Sequence, residues 1–309
     1  AVKQIRDSMN DQERHQLLTY LDIIRESHCP YIVQYHGFYV TEGDVWIFME
    51  SMRESLDMTA ALLKSLSLRF PEDVLGTVAM ATVNGLHYLK KELQVVHRDV
   101  KPSNILLGHD GSIKVCDFGV SKTMVQTMMN TNVGCERYLP PERLDPTTSR
   151  TPYDITSDVW AYGITLVELA ELAYPYPGAP FKRTMAIISK PPPTVARTMF
   201  EVMYTDSFLD ICATCLQKDP RKRPKYDMPP QDLPGANTLM DHPFIKSHSA
   251  EDITLQWARM HAWRTKLDAA AKQSKSSPVL SMAAAQNDDQ ATISASGIGG
   301  GGGDETGAP

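Results

Sequence analysis

The feature that most constrains the fold of this chain is a pair of polar loops set beside short apolar runs. The first loop carries Asp99, Lys101 and Asn104 between the apolar runs 95–96 and 105–107. The second loop begins with Asp117, directly after Lys114, Val115 and Cys116. Short apolar runs bounded by polar loops predict short strands, and the strand ends would present these polar side chains.

These residue types suit phosphoryl transfer. Such a site must hold a divalent metal on phosphates, steady the transferred phosphate and orient a hydroxyl nucleophile. Asp117 and Asn104 offer the hard oxygen ligands that Mg²⁺ prefers. Asp99 is the candidate acceptor of the hydroxyl proton, and Lys101 would offset charge on the moving phosphoryl group.

Composition narrows the classes of partner. The chain has 309 residues with 31 Lys+Arg against 37 Asp+Glu, a formal net charge of -6, and this argues against a nucleic-acid-binding protein. No apolar run approaches the roughly 18 residues of a membrane span. We therefore expect protein or small-molecule partners, no nucleic acid, no membrane span, and a location in the cytoplasm that could extend to the nucleus.

The cysteines predict no disulfide framework, because there are only five in a chain of this size. Cys212 and Cys215 form the only close pair. Without a second pair or a neighbouring His cluster, we expect buried thiols on a helix and not a zinc site.

Hydrophobic spacing predicts a mixed first part and a mainly helical remainder. A helix starting near Asn10 would bury Leu17, Leu18, Leu21 and Ile24. Antiparallel strands are expected over 31–40 and 44–49. Further helices are expected over 71–89, over 157–172 as a buried helix stopped by Pro175 and Pro177, and over 253–267. The Ser-, Ala- and Gly-rich sequence beyond 272 predicts a disordered tail.

The two loops resemble the motif set of the eukaryotic protein kinases. Further segments are most similar to the dual-specificity MAP kinase kinases, and within them to the branch that activates stress-responsive MAP kinases. The resemblance spans roughly residues 1–268. The segments that carry it are 1–3, 29–33, 43–47, 55–57, 95–107, 114–119, 140–143, 157–160 and 221–224.

The resemblance implies an α+β, two-lobed protein kinase fold with an incomplete N-lobe sheet and a mainly helical C-lobe. We expect a partial N-lobe over 1–52, a C-lobe over 53–248, a C-terminal helix over 249–271 and a tail over 272–309. A Gly-rich phosphate-covering loop normally precedes the strand lysine, but only two residues precede Lys3. We therefore expect that the sequence is N-terminally truncated.

The resemblance also implies ATP and Mg²⁺ as cofactors and assigns site residues. Lys3 would hold the α- and β-phosphates from the family's third strand. Asp99, Lys101 and Asn104 would be catalytic, with Asn104 and Asp117 on the metal. The adenine site would be lined by Met49, Glu50 and Met52 at the hinge and by Leu106 as its floor. Two further predictions are structural: Glu142 pairs with Arg223, and Asp158 braces the catalytic loop.

A regulatory site is implied between Gly119 and Pro140. The family carries two phosphorylated hydroxyl residues four positions apart here, and Thr127 and Thr131 match that spacing. A phosphate adds about 1.5 to 2 negative charges, and Arg98 is a natural cation for it. Two unmodified hydroxyls in a polar loop are the alternative interpretation.

One family residue is missing. The acidic partner of Lys3 is expected on the N-lobe helix, where this chain has Tyr20. Asp22 lies about 200° further round the helix, and Glu13 lies about 10 Å along it. Either the helix turns to present Asp22, or Lys3 contacts Asp117 until ATP binds, or phosphate alignment is weak.

The sequence thus predicts an ATP-dependent, dual-specificity (Ser/Thr and Tyr) kinase of a MAP kinase activation loop, activated at Thr127 and Thr131 by an upstream MAP kinase kinase kinase. The run 253–267 matches where the family docks that activator, although packing onto the C-lobe explains the same pattern. A catalytically weak pseudokinase scaffold is the alternative. It is motivated by Tyr20 and the missing loop and disfavoured by the presence of Asp99, Asn104 and Asp117.

Overall fold

A computed structural model gives the fold of most of the chain. Residues 1–265 form one compact unit, and a second unit runs from Lys266 to Pro309. The structure describes residues 1–6, 15, 17–18, 21–22, 24–25, 28–41, 44–118, 135–145, 154–199, 202–228 and 237–276.

The N-terminal sheet has three antiparallel strands in the order β1-β3-β2. They are β1 (Val2–Arg6), β2 (Tyr35–Thr41) and β3 (Asp44–Met49). In the register of β1 on β3, Lys3 faces Ile47 and Ile5 faces Val45. Val45 and Ile47 are buried, whereas Val2 and its partner Phe48 are exposed. One face of the sheet is therefore apolar and covered, and Lys3 belongs to that face.

The predicted antiparallel pair is confirmed, but its first strand starts later than expected. Residues 31–33, predicted to open that strand, run instead alongside Val115: Ile32 forms a parallel bridge with it, and Val33 N donates to its carbonyl at 3.0 Å. Ile32 and Val33 are almost fully buried there. Burial of both successive side chains suits a position between two packed layers, not a sheet with one solvated face.

The described residues between 15 and 25 are helical. Leu17, Leu21 and Ile24 are almost fully buried, as the spacing of the apolar residues predicted, and Leu18 is half-buried. Asp22 lies on the exposed side, 3.7 Å from Arg25.

The remaining strands are short. They form a three-stranded sheet in the order β4-β5-β6 and a separate hairpin of β7 and β8. Their bounds are β4 (Glu54–Ser55), β5 (Ile105–Leu107), β6 (Ile113–Val115), β7 (Thr198–Met199) and β8 (Val202–Met203).

Helices supply most of the remaining described structure. The α-helices are α1 (Leu56–Ser65), α2 (Glu72–Lys91), α3 (Pro141–Leu144), α4 (Ile155–Glu171), α5 (Pro180–Ser189), α6 (Asp206–Cys215), α7 (Pro243–Ser249) and α8 (Ile253–Ser276). Single 3₁₀ turns occur at Pro102–Asn104, Cys135–Tyr138 and Pro220–Lys222. None of the helices within the described ranges is both long and apolar enough to cross a membrane.

Helix α4 is buried almost all round, as its composition predicted. Asp154 caps it by accepting from the backbone N–H groups of Thr156 and Ser157. The helix ends at Glu171, where Leu172 adopts a left-handed φ of 50°. It therefore stops before Pro175, one of the two prolines that we expected to end it.

Cys212 and Cys215 lie buried on α6, as expected. Burial raises the pKa of both thiols well above the ordinary value, which keeps them protonated. Within the described part of the chain, no cluster of three His, Cys, Asp or Glu side chains could hold a metal.

Helix α8 packs closely on the turn between β5 and β6. Gly111 in that turn has a φ of +90°, and a Cβ built there would lie 2.1 Å from the carbonyl oxygen of Trp257. Only glycine fits this approach. The helix ends at Ser276, beyond the boundary expected at residue 271.

The packing at Gly111 can be tested against Gly178, which also has positive φ (+107°) but no neighbouring atom within 4 Å of a built Cβ. We expect Gly178→Ala to cost about 1–2 kcal/mol through backbone strain alone. Gly111→Ala should cost about 1–3 kcal/mol more because of the clash. Equal free energies of unfolding in urea titrations would contradict this packing.

Candidate active site

The first polar loop is fixed by a buried carboxylate on helix α4. Asp158 is fully buried, and its oxygens accept from the backbone N–H groups of His97 and Arg98, both at 2.8 Å. Arg98 has a φ of 73°. A left-handed non-glycine residue stores strain of about 1–3 kcal/mol and persists only where its surroundings fix it. Asp158 supplies that constraint, and Arg98 directs the chain into Asp99.

Three predicted catalytic side chains converge at Asp99. Lys101 Nζ lies 2.7 Å from Asp99 Oδ2, and Asn104 Nδ2 donates to the same oxygen at 2.9 Å. Asn104 Nδ2 also donates to the Asp99 carbonyl at 2.8 Å, which fixes the amide. In the described part of the chain no donor reaches Asp99 Oδ1. One carboxylate oxygen is thus held by two donors while the other is available for a proton.

The second loop is joined to the first through Cys116. The backbone N of Cys116 donates to the backbone carbonyl of Asn104 at 3.0 Å. The backbone carbonyl of Cys116 lies 2.9 Å from His97 Nε2. Burial lowers the pKa of His97 although the nearby carboxylates of Asp158 and Asp99 act in the opposite direction. The neutral ring accepts from Asp99 N at Nδ1 (3.2 Å), and so Nε2 donates to Cys116.

Asp117 faces the N-terminal sheet. It has a left-handed φ of 60°, and its Oδ1 lies 2.7 Å from Lys3 Nζ. Both side chains keep more than a third of their area exposed (39% for Lys3, 34% for Asp117), so a ligand could reach them. Of the alternatives for Lys3, the structure shows the contact with Asp117. Asp22 contacts Arg25 instead. Tyr20 and Glu13 lie outside the described residues.

The hinge residues show one unexpected feature. The Glu50 carboxylate is bound by Lys114 Nζ at 2.7 and 2.9 Å and accepts from Gln34 N at 2.7 Å. The Glu50 side chain is thus engaged by Lys114 and Gln34, and its backbone N donates to the Gln34 carbonyl at 2.9 Å, which leaves the Glu50 backbone carbonyl to meet an adenine ring. Met49 and Met52 are half-buried.

In β5, which carries the predicted floor of the adenine site, buried and half-exposed side chains alternate. Leu106 is half-exposed between the buried residues Ile105 and Leu107. Because side chains alternate along a strand, Leu106 faces away from the core that covers its neighbours.

The predicted structural pair of Arg223 and Glu142 is present. Arg223 is 1% exposed and binds both carboxylate oxygens, at 2.7 and 2.8 Å. Its other N–H groups reach the carbonyls of Gln217 and Thr156. The guanidinium lies 5.1 Å from the centre of the Trp160 ring. A fully satisfied buried Arg of this kind fixes a loop to the core.

The predicted regulatory residues cannot be placed. Thr127 and Thr131 fall in the stretch 119–134, which lies outside the described residues. Their role stays a prediction from sequence.

The comparison with known families decides the identity of this site. The protein kinase domain family matches residues 1–245. The chain belongs to the protein kinase family. This match confirms the predicted α+β kinase fold. It also confirms the prediction that the chain is an ATP-dependent protein kinase.

Several relatives of this kinase are dual specificity mitogen-activated protein kinase kinases. Sek-1 of Caenorhabditis elegans is 40% identical over 230 residues, covering 73% of this chain and 67% of the relative. Mek-1 of the same organism is 40% identical over 250 residues, which cover 80% of this chain and 67% of the relative. Dual specificity mitogen-activated protein kinase kinase 7 of Homo sapiens is 39% identical over 286 residues, which cover 91% of this chain and 63% of the relative.

The kinase therefore spans about two thirds of the length of these relatives. Their names confirm the predicted resemblance to the MAP kinase kinases. They do not favour the pseudokinase alternative.

The sequence did not predict the long-range ion pairs that hold the residues around the site. Lys114 and Glu50 lie 64 positions apart in the chain, and Arg264 and Glu54 lie 210 positions apart. No spacing rule links such residues. His97 stood inside the quoted motif, but its tautomer became readable only with its neighbours placed.

The brace on the first loop can be tested with two residues at the same end of α4. Asp158→Asn should lower kcat roughly 10- to 100-fold, because it places an amide donor near the His97 and Arg98 N–H groups and shifts Asp99. It should also cost about 1–3 kcal/mol of stability.

Asp154→Ala is the matched control, since the hydrogen bonds of this side chain with described residues all go to its own helix. It should cost about 0.5–2 kcal/mol of stability without loss of kcat. Equal kcat losses in both variants would show that Asp158 acts through general stability.

Proposed function

We propose that this kinase transfers the γ-phosphate of Mg-ATP to Thr and Tyr side chains in the activation loop of a MAP kinase. The observation that carries the proposal is the convergence of Lys101 and Asn104 on Asp99, with Asp117 joined to the same loop and contacting Lys3. The names of the relatives support the substrate class.

The residues present fit Mg-ATP. Asp117 offers a solvent-accessible carboxylate, and the Asn104 amide donates through Nδ2, which leaves Oδ1 as a hard oxygen ligand. Asp117 and Asn104 would hold the metal, and Lys3 would bind phosphate oxygens. When bound, Mg-ATP supplies the phosphoryl group, and the metal neutralises charge that develops on it.

The chain's own residues then orient the acceptor. Asp99 Oδ1 would accept the hydroxyl proton of the substrate Thr or Tyr as its oxygen attacks the γ-phosphorus and the bond to the leaving oxygen breaks. Lys101, already 2.7 Å from Asp99 Oδ2, would stabilise the negative charge of the transferred group. Lys3 would move from Asp117 to phosphate, since a second anion competes for the same ammonium.

Two partners follow from this proposal: a MAP kinase as substrate and an upstream MAP kinase kinase kinase as activator. The region 249–271 remains a candidate for docking the activator. The contacts of α8 support the packing explanation as well: Met260 is fully buried, whereas Leu255 is 61% exposed. The two roles can belong to different faces of one helix.

The catalytic role of Asp99 can be tested with a kinase-dead MAP kinase as substrate. Asp99→Asn should lower the rate of phosphate transfer roughly 100-fold or more, because the proton acceptor is lost. Asp110→Asn is the matched control, since Asp110 sits in the β5–β6 turn and bonds Ser112. We expect that control to keep wild-type rates. Equal transfer by wild type and Asp99→Asn would remove the enzyme interpretation and favour the scaffold.

The switch can be tested by removing both hydroxyls. The double variant Thr127→Ala, Thr131→Ala should no longer be stimulated by an upstream kinase, because neither phosphate can pair with a cation such as Arg98. Thr123→Ala in the same segment should be stimulated as the wild type is. Retained stimulation in the double variant, measured with radiolabelled ATP, would refute the assignment.

A further inference from the structure

A buried ion pair joins the C-terminal helix to the end of the hinge. Arg264 on α8 is 5% exposed, and its Nε and Nη2 donate to Glu54 Oε1 and Oε2 at 2.6 and 3.1 Å. The side chain of Glu54 is 12% exposed, and its Oε1 also accepts from the Thr59 hydroxyl at 2.8 Å. This is a two-point, charge-assisted contact in a nearly dry setting.

Both charges depend on this contact. Burial alone would raise the pKa of Glu54, but the hydrogen bonds from Arg264 and Thr59 lower it below the ordinary value. Removing Arg264 would leave the largely buried Glu54 carboxylate with only the Thr59 hydrogen bond and the nearby charge of Arg53 to offset its burial, which is costlier than losing a surface pair.

The position of Glu54 connects this pair to the nucleotide site. Glu54 follows the hinge residue Met52 by two positions and lies in β4, opposite Leu107 of β5. Ser55 lies opposite Leu106, the expected adenine floor, and Arg53 N donates to the Leu107 carbonyl at 2.9 Å. Arg264 therefore holds the strand that fixes both the exit of the hinge and the edge of that floor.

We propose that Arg264 is a positioning residue for nucleotide binding: by holding Glu54, it sets the distance between the hinge backbone and the adenine floor. The inference rests on the proposed ATP-dependent function. It gives α8 a role in the nucleotide site that docking of another protein does not require.

Arg259 provides a matched control on the same helix. It binds Glu251 at 2.6 Å and Thr77 of α2 at 3.1 Å, and it lies 3.8 Å from Asp73 of α2. Its contacts with described residues thus anchor α8 on α2 and include none with β4 or the hinge. A variant at Arg259 loosens the helix, whereas a variant at Arg264 loosens both the helix and the hinge.

The test measures the Kd for Mg-ADP by titration calorimetry, together with KM for ATP and kcat on a kinase-dead MAP kinase. We expect Arg264→Gln and Glu54→Gln each to raise Kd and KM about fivefold or more, with kcat within about twofold. The double variant should be no weaker than either single variant, because both remove one interaction. Arg264→Lys should recover part of the affinity, and Arg259→Gln should keep the wild-type Kd.

The outcomes separate this inference from the proposed function. Loss of affinity in Arg264→Gln but not in Arg259→Gln supports the positioning role. Unchanged affinity in Arg264→Gln, or equal losses at both arginines, overturns it while leaving the kinase function intact. Failure of the wild type to bind Mg-ADP would overturn both. If Arg264→Gln does not fold, Arg264→Lys and Arg259→Lys replace the pair, with the same expected contrast in Kd.

Discussion

The contact on which the active site depends is made by the Asp158 carboxylate with two consecutive peptide N–H groups. The carboxylate satisfies both N–H groups and fixes the left-handed turn at Arg98. That turn directs Asp99 toward Lys101 and Asn104. The predicted catalytic loop is short and polar, and a carboxylate from the neighbouring helix α4 fixes its geometry.

Around the predicted hinge, two ionic contacts that are partly or largely buried hold the residues at its two ends. Lys114 binds Glu50 at its start, and Arg264 binds Glu54 just beyond its end. Asp117, by contrast, keeps its pairing with Lys3 accessible to solvent. The less accessible ionic contacts therefore hold the hinge, and the most accessible one, between Lys3 and Asp117, lies where a nucleotide would bind.

The loops, the strands β5 and β6 beside them and the long helices could be predicted because their signals are local. The run 95–96, which was also predicted to be a strand, belongs to no strand in the structure. Leu17, Leu21 and Ile24 recur at helical spacing, and Asp99 to Asn104 lie within one motif. The partner of Lys3 could not be chosen among three alternatives, since the choice depends on residues over a hundred positions away. The predicted start of β2 was wrong for a related reason. Residues 31–33 are apolar enough for a strand, but their tertiary contact with Val115 places them beside β6 and not in β2.

The register between β1 and β3 determines the orientation of the Lys3 ammonium. Lys3 stands opposite Ile47 on the covered face, flanked along the strand by side chains that point the other way. A slip of one residue would turn the ammonium out to solvent and bring Val2 beneath the sheet. The apolar underside of three strands thereby orients a charged side chain. Hydrophobic packing at Val45 and Ile47 decides which face of the sheet carries the positive charge.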